Sequence, residues 1–147
     1  MELDTLINYQ SEKVQRFIKK NIEHLSVTIT IDGTETLHDT NRVYKQTGKG
    51  SYNDVVKSIP LYLTQFPVAA TKVTITTSNI KYIKESVLHL FSIGIHDVNI
   101  NCVFEDVWKD GDDYRFEKEL IELADEIIDN KLYLNNTCSF FWEYLGK

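Results

Sequence analysis

The residues best suited to chemistry collect where three β-branched stretches of the 147-residue chain end. The first stretch closes in Thr30-Ile31-Asp32-Gly33 and runs on through TETLHDTNR to Arg42. The second closes in Thr76-Thr77-Ser78-Asn79, and the third carries Asn99 and Asn101 and ends at Glu105. Hydroxyls, amides, two carboxylates and one guanidinium are thereby expected on one rim. Such a set can hold a carboxylate through paired donors and satisfy the oxygens of a polar ligand. Each part also has a local explanation: Asp32-Gly33 as a turn, His38-Asp39 as a hydrogen-bonded pair, Ser78-Asn79 as a helix cap.

Common catalytic signatures are missing. The chain has no GxSxG, GxxxxGK, GxGxxG or HExxH segment, so hydrolase, nucleotide and zinc-protease readings have no local support. Gly48-Lys49-Gly50-Ser51 lacks the upstream glycine of a phosphate loop and reads as a loop that caps a helix. The acidic run DGDDYRFEKELIE lacks the alternation of calcium ligands and reads as a helix start, its carboxylates at the positive end of the dipole. Cys102 and Cys138 stand far apart without CxxC partners and read as reduced, buried thiols.

The elements that must position these residues follow from periodicity. Leu25–Ile31, Ala69–Thr77 and Val98–Phe104 are rich in Val, Ile and Thr and predict three strands. Asn99 and Asn101 then share one strand face, with Cys102 on the other. Ser11 caps a helix whose apolar side is Val14, Phe17, Ile18 and Ile22. Ser51 opens a helical segment reaching Phe66, which Pro60 must kink or break. Ser78 or Asn79 caps a helix carrying Ile80, Ile83, Val87, Leu88 and Phe91, ended by Gly94. A helix from about Asp112 to Lys131 turns Phe116, Leu120, Leu123, Ala124, Ile127 and Ile128 inward, and a short one follows near Ser139 to Leu145.

This order predicts an α/β fold with three parallel strands and flanking helices, as an open doubly wound sheet or as part of a closed barrel. Three strands cannot close a barrel, so unpaired edges would favour self-association. No linker divides the chain, which reads as one unit over residues 1–147. A net charge of −6 and a pI near 5.2 argue against a nucleic-acid partner. The absence of a bilayer-length apolar run and of a secretory leader argues for no membrane partner and a cytoplasmic location.

Beyond these patterns, the segment Thr30-Ile31-Asp32-Gly33, His38-Asp39 and Arg42 resembles the SIDGxxxxHDxxR stretch after the fourth barrel strand of radical S-adenosylmethionine maturases. Gly48, Gly50, Ser51, Tyr52 and Val55 are similar to that family's GxGSFxxV. Thr74-Ile75-Thr76, Asn79, Tyr82 and Glu85-Ser86 resemble its TITxxNxxYxxES, and Gly94, Asn99-Ile100-Asn101, Val103-Phe104-Glu105 and Trp108 its GxxxxNINxVFExxW. Phe140-Phe141 and Leu145-Gly146 resemble the stretch before the first auxiliary-cluster cysteine. Thr30 stands where the family usually has serine.

The resemblance implies an interior part, strands four to six, of the partial TIM-like barrel of a peptide or protein maturase with a SPASM-type cluster domain, similar to anaerobic sulfatase-maturating enzymes. Such enzymes cleave S-adenosylmethionine at a [4Fe-4S] cluster and abstract hydrogen from a peptide or protein substrate. The CxxxCxxC loop, the GGEP-like segment and the cysteine-rich module have no counterpart in these residues. The cofactors are therefore expected with the full-length parent and not with this chain alone, whose partners would be the rest of its barrel and cluster domain. By resemblance, Thr30 and Arg42 would approach the amino-acid and ribose parts of S-adenosylmethionine, with Thr76, Ser78 and Asn101 lining the pocket. Asp32 and Glu105 would orient Arg42 or meet substrate. The alternative is a free-standing α/β binding or interaction module without redox activity.

Overall fold

A computed structural model describes residues 8–68, 70–103 and 108–141. Its centre is a parallel sheet of four strands in chain order: β1 (Ile29–Thr30), β2 (Ala70–Ile75), β3 (Asp97–Cys102) and β4 (Thr137–Cys138). Helices connect them: α1 (Glu12–Asn21), α2 (Glu35–Asn41), α3 (Tyr52–Val56), α4 (Ile59–Gln65), α5 (Ile83–Ser92) and α6 (Asp112–Asp129). The α/β class with flanking helices is as expected; the strand count is not.

The expected three strands are four because Thr137–Cys138, too short to register as a β-branched run, pairs with Asp97 and Val98. The expected helix from Ser139 meets a turn at residues 139–141, and its remainder lies outside the described residues. β1 is also shorter than Leu25–Ile31. Ile29 and Thr30 lie opposite Thr71 and Lys72, so residues before 28 run past the first position of β2 and have no strand partner among the described residues. β2 stops at Ile75 because Asn79 intercepts the chain: its Oδ1 accepts from Thr76 N at 2.7 Å and its Nδ2 donates to Thr74 O at 3.0 Å. The amide therefore ends a strand and caps no helix. Beyond it, a three-residue 3-10 turn (Ile80–Tyr82) precedes α5.

Pro60 breaks the expected 51–66 helix into α3 and α4. It occupies the first turn of α4, where its missing donor would have had no intrahelical partner. Ser51 sits at the cap position of α3, but its hydroxyl is used elsewhere. Asp39 Oδ1 instead accepts from Tyr52 N at 2.8 Å. Ser11 does cap α1, accepting from Val14 N at 3.4 Å. Of the expected apolar side of α1, only Ile18 is buried, and Phe17 and Ile22 are exposed. On α6, Leu123 and Ile127 are buried, whereas Ile128 points outward.

Alternation along the strands divides the sheet into two unlike faces. Ile29, Thr71, Val73, Ile75 and Val98 are buried against Ile18, Val55, Tyr62, Ile83, Val87, Leu90 and Leu123 from the helices. The opposite face presents Thr30, Lys72, Asn99 and Asn101, all exposed, with Thr74 half-buried. Parallel sheets are ordinarily covered on both faces. Among the described residues, this one is covered on one.

Candidate functional site

The most densely hydrogen-bonded part of the rim is the loop leaving β1. Gly33 has φ +119, and a Cβ there would fall 2.3 Å from Ser86 Oγ, so the chain can turn close over α5 only as glycine. That turn delivers Asp32, nearly fully buried, to Arg42 at the end of α2. Arg42 Nε donates to Asp32 Oδ2 at 2.5 Å and Nη2 to Oδ1 at 3.3 Å, a two-pronged contact with the arginine partly in solvent.

A buried chain of hydrogen bonds fixes this pair. His38 is 1% exposed. Its Nδ1 accepts from Asp32 N at 3.3 Å, and its Nε2 lies 3.1 Å from Ser51 Oγ. Ser51 in turn donates to Arg42 O at 2.9 Å. Since Nδ1 accepts and the serine proton is committed to the carbonyl, Nε2 carries the imidazole proton. Burial lowers the His38 pKa, against the opposing pull of Asp32, and the ring is neutral. Asp39 beside it closes onto α3 through Tyr52 N, in a space that only Gly50 leaves open. Tyr52 Oη then reaches His89 Nε2 of α5 at 2.5 Å. His38, Asp39, Ser51 and Tyr52 thus form a brace between the loop, α3 and α5.

The remaining expected residues lie apart from that brace. Thr76 Oγ1 and Ser78 Oγ are 2.8 Å apart at the end of β2. Thr30 stands in register with Lys72, and Lys72 with Asn99; Asn101 stands one row higher, opposite Thr74. Thr30 and Asn101 therefore share the open face, separated by β2. Among the described residues no hydrogen bond links Asp32–Arg42 to Thr76, Ser78 or Asn101, and neither Asn99 nor Asn101 has a side-chain partner. Glu105 lies outside the described residues.

Lys72 is a site residue that the sequence reading missed. The alternation with buried Thr71 and Val73 was the available signal, since it sends residue 72 to the same face as Thr30 and Asn101. Asn79, expected as a helix cap, instead shapes the tip of β2.

Chemically, the arrangement offers hydrogen-bond donors and acceptors, one partly engaged guanidinium and one free ammonium. For an iron-sulfur cluster the donors do not fit. Cys102 and Cys138 lie on separate strands, and burial pushes the Cys138 thiol up to about 11, away from the thiolate that a metal requires. No group of three or more His, Cys, Asp or Glu able to hold a metal ion occurs among the described residues. No described helix is long and apolar enough to cross a membrane. No protein-family model matches the chain, and no curated protein matches it.

Proposed function

We propose that the chain is a section of the barrel of a radical S-adenosylmethionine peptide or protein maturase, corresponding to its strands four to six with an additional short strand. In this reading the strand tips and the open sheet face form one wall of the S-adenosylmethionine and substrate pocket. The observation that carries it is the uncovered polar face. Strand order never reverses, so the sheet lacks the switch point of a doubly wound fold. Among the described residues helices cover one side alone, as they cover the outside of a barrel, and the other side bears Thr30, Lys72, Asn99 and Asn101 as a lumen would.

The residues available suit the organic cofactor and not the cluster, whose cysteines would come from elsewhere in the parent. Thr30, Thr76, Ser78 and Asn101 can hydrogen-bond ribose and amino-acid oxygens. Arg42 is held by Asp32 through Nε and Nη2, so Nη1 is the donor left to meet a carboxylate while Asp32 occupies the rest of the fork. In that family the cofactor supplies hydrogen abstraction from a peptide side chain. What this chain contributes is binding, orientation and exclusion of water.

A second reading, a binding module without redox activity, is favoured by the brace: His38, Asp39 and Ser51 are all consumed in internal hydrogen bonds. Titration of the isotope-labelled chain with S-adenosylmethionine distinguishes the two. The maturase reading expects millimolar binding with amide shifts at Thr30, Arg42, Thr76 and Asn101, abolished in Asn101→Ala. Shifts confined to other surfaces, or none, would overturn it, as would radical turnover by this chain alone after treatment with iron and sulfide.

A further inference from the structure

The outer face of α6 carries an apolar stripe that nothing among the described residues covers. Tyr114, Ile121 and Ile128 recur every seven residues and are 71%, 56% and 51% exposed. Seven residues are nearly two helical turns, so the three side chains line up on one seam. Beside them runs an open groove of about 550 Å³ walled by Tyr114, Phe116, Leu120, Ile121 and Phe141. A contiguous exposed patch of this kind marks an interaction surface, where scattered single residues would not.

Charge decides what can sit there. α6 holds eight carboxylates and two basic residues, and Glu117 and Asp125 flank the stripe. Pairing α6 with the α6 of another copy would set acid against acid along both seams, which is unfavourable. The complementary surface belongs to α1. In EKVQRFIKKN four bases accompany one acid, and Phe17 projects 46% exposed among Lys13, Arg16 and Lys20. Within one chain α1 is held beside α4, where Gln65 Nε2 donates to Gln15 Oε1 at 2.7 Å, on the β1 side of the sheet. α6 packs on α5 and leads to β4, at the opposite edge.

We propose that a second copy of this chain docks on α6 through its α1, with Phe17 entering the groove and Lys13, Arg16 and Lys20 meeting the acidic rim. The contact is head-to-tail and brings the β4 edge of one copy toward the β1 edge of the next. Two copies then hold eight parallel strands, the number that closes a TIM-type barrel. The proposal concerns the chain by itself, whose sheet edges the S-adenosylmethionine reading would give to the rest of a parent barrel.

Light scattering and sedimentation of the full chain from micromolar to millimolar concentration test it. The expected result is association from the 17.1 kDa monomer to twice that mass or more, weakened by salt because the rim charges are screened. Phe17→Asp and Ile121→Lys change exposed positions, so circular dichroism should show both folded. Each alone should weaken association by at least about tenfold. Mixed, the two variants restore association, because one keeps an intact α6 and the other an intact α1. A chain that stays monomeric at millimolar concentration in low salt overturns the proposal. So does association insensitive to both variants, or a mixture that fails to recover.

Discussion

The loop leaving β1 and the open face of the sheet lie side by side and draw on similar residue types, yet they differ in what their polar atoms do. In the loop, Asp32, His38, Asp39, Arg42 and Ser51 are all partnered within the protein. On the sheet face, Lys72, Asn99 and Asn101 have no side-chain partner among the described residues. Groups already satisfied hold shape, since exchanging an internal hydrogen bond for a ligand gains little. Groups left to solvent can be recruited by a ligand. The comparison gives His38, Asp39 and Ser51 a scaffolding role and leaves the strand residues, with Nη1 of Arg42, open to a ligand in the proposed reading, and substitutions in each region should separate stability from binding.

The largest effect is expected at Gly33. Alanine there must adopt a positive φ and place its Cβ into Ser86 Oγ, and no flexible side chain end can yield because Ser86 is itself on a packed helix. Strain and overlap together should cost about 3 kcal/mol, measured as a fall in the urea midpoint without a change in slope. A loss below about 1 kcal/mol would mean that loop and α5 are not locked. The partner change Ser86→Ala removes a buried hydroxyl that has no hydrogen bond, and it should be neutral or mildly stabilising.

His38 comes next and adds a pH signature. His38→Leu fills the space but orphans Asp32 N and removes the bond that Ser51 Oγ accepts from Nε2, leaving its donation to Arg42 O, for about 2 kcal/mol. Burial lowers the folded pKa of His38 beneath its ordinary value of 6.5. The unfolded chain therefore takes up a proton first as pH falls. The stability contributed by the neutral ring is complete above pH 6.5 and drains away as pH drops toward the lowered folded value. His89, also lowered by burial, acts in the same direction beneath Tyr52. Denaturation between pH 7.5 and 5 should show falling stability in the wild type and a shallower slope in His38→Leu. Equal slopes would remove His38 from the brace.

How much of this was legible beforehand depends on the range of the forces involved. β2, β3, α1, α5 and α6 followed from periodicity, with a side-chain cap at α1 alone of these helices, and Pro60 announced the break between α3 and α4. What escaped was set by distant partners. β4 exists because β3 offers it an edge, and β1 is short because β2 begins where it does. The sequence marked His38-Asp39 and Ser51 as notable, but their roles rest on contacts 13 residues apart that no local rule displays. Ser51 and Asn79 had the right chemistry for helix caps, but Ser51 Oγ is taken by His38 and Arg42 O, and the Asn79 amide by Thr76 N and Thr74 O. Phe17 and Ile128 match a helical repeat, yet they face outward because no neighbouring element reaches them.

The smallest expected effect is on the open face, and it is the one that sharpens the comparison most. Lys72→Ala and Asn101→Ala delete side chains that make no internal hydrogen bond, so each should change stability by no more than about 0.5 kcal/mol. A larger loss would show that these residues carry structure after all and would erase the distinction from the loop. If stability holds, Asn101→Ala should remove the response to S-adenosylmethionine, while Lys72→Ala, lower on the same face, should reduce affinity for anionic ligands more than for neutral ones. Asp32→Asn gives the reverse control. It frees the Arg42 fork that Asp32 now occupies, lowers stability by about 1 kcal/mol or more because the carboxylate is buried although the arginine is partly in solvent, and should strengthen carboxylate binding at the tip of β1. Loss of stability with gain of binding in the loop, against loss of binding without loss of stability on the face, is the pattern that the two hydrogen-bond arrangements require.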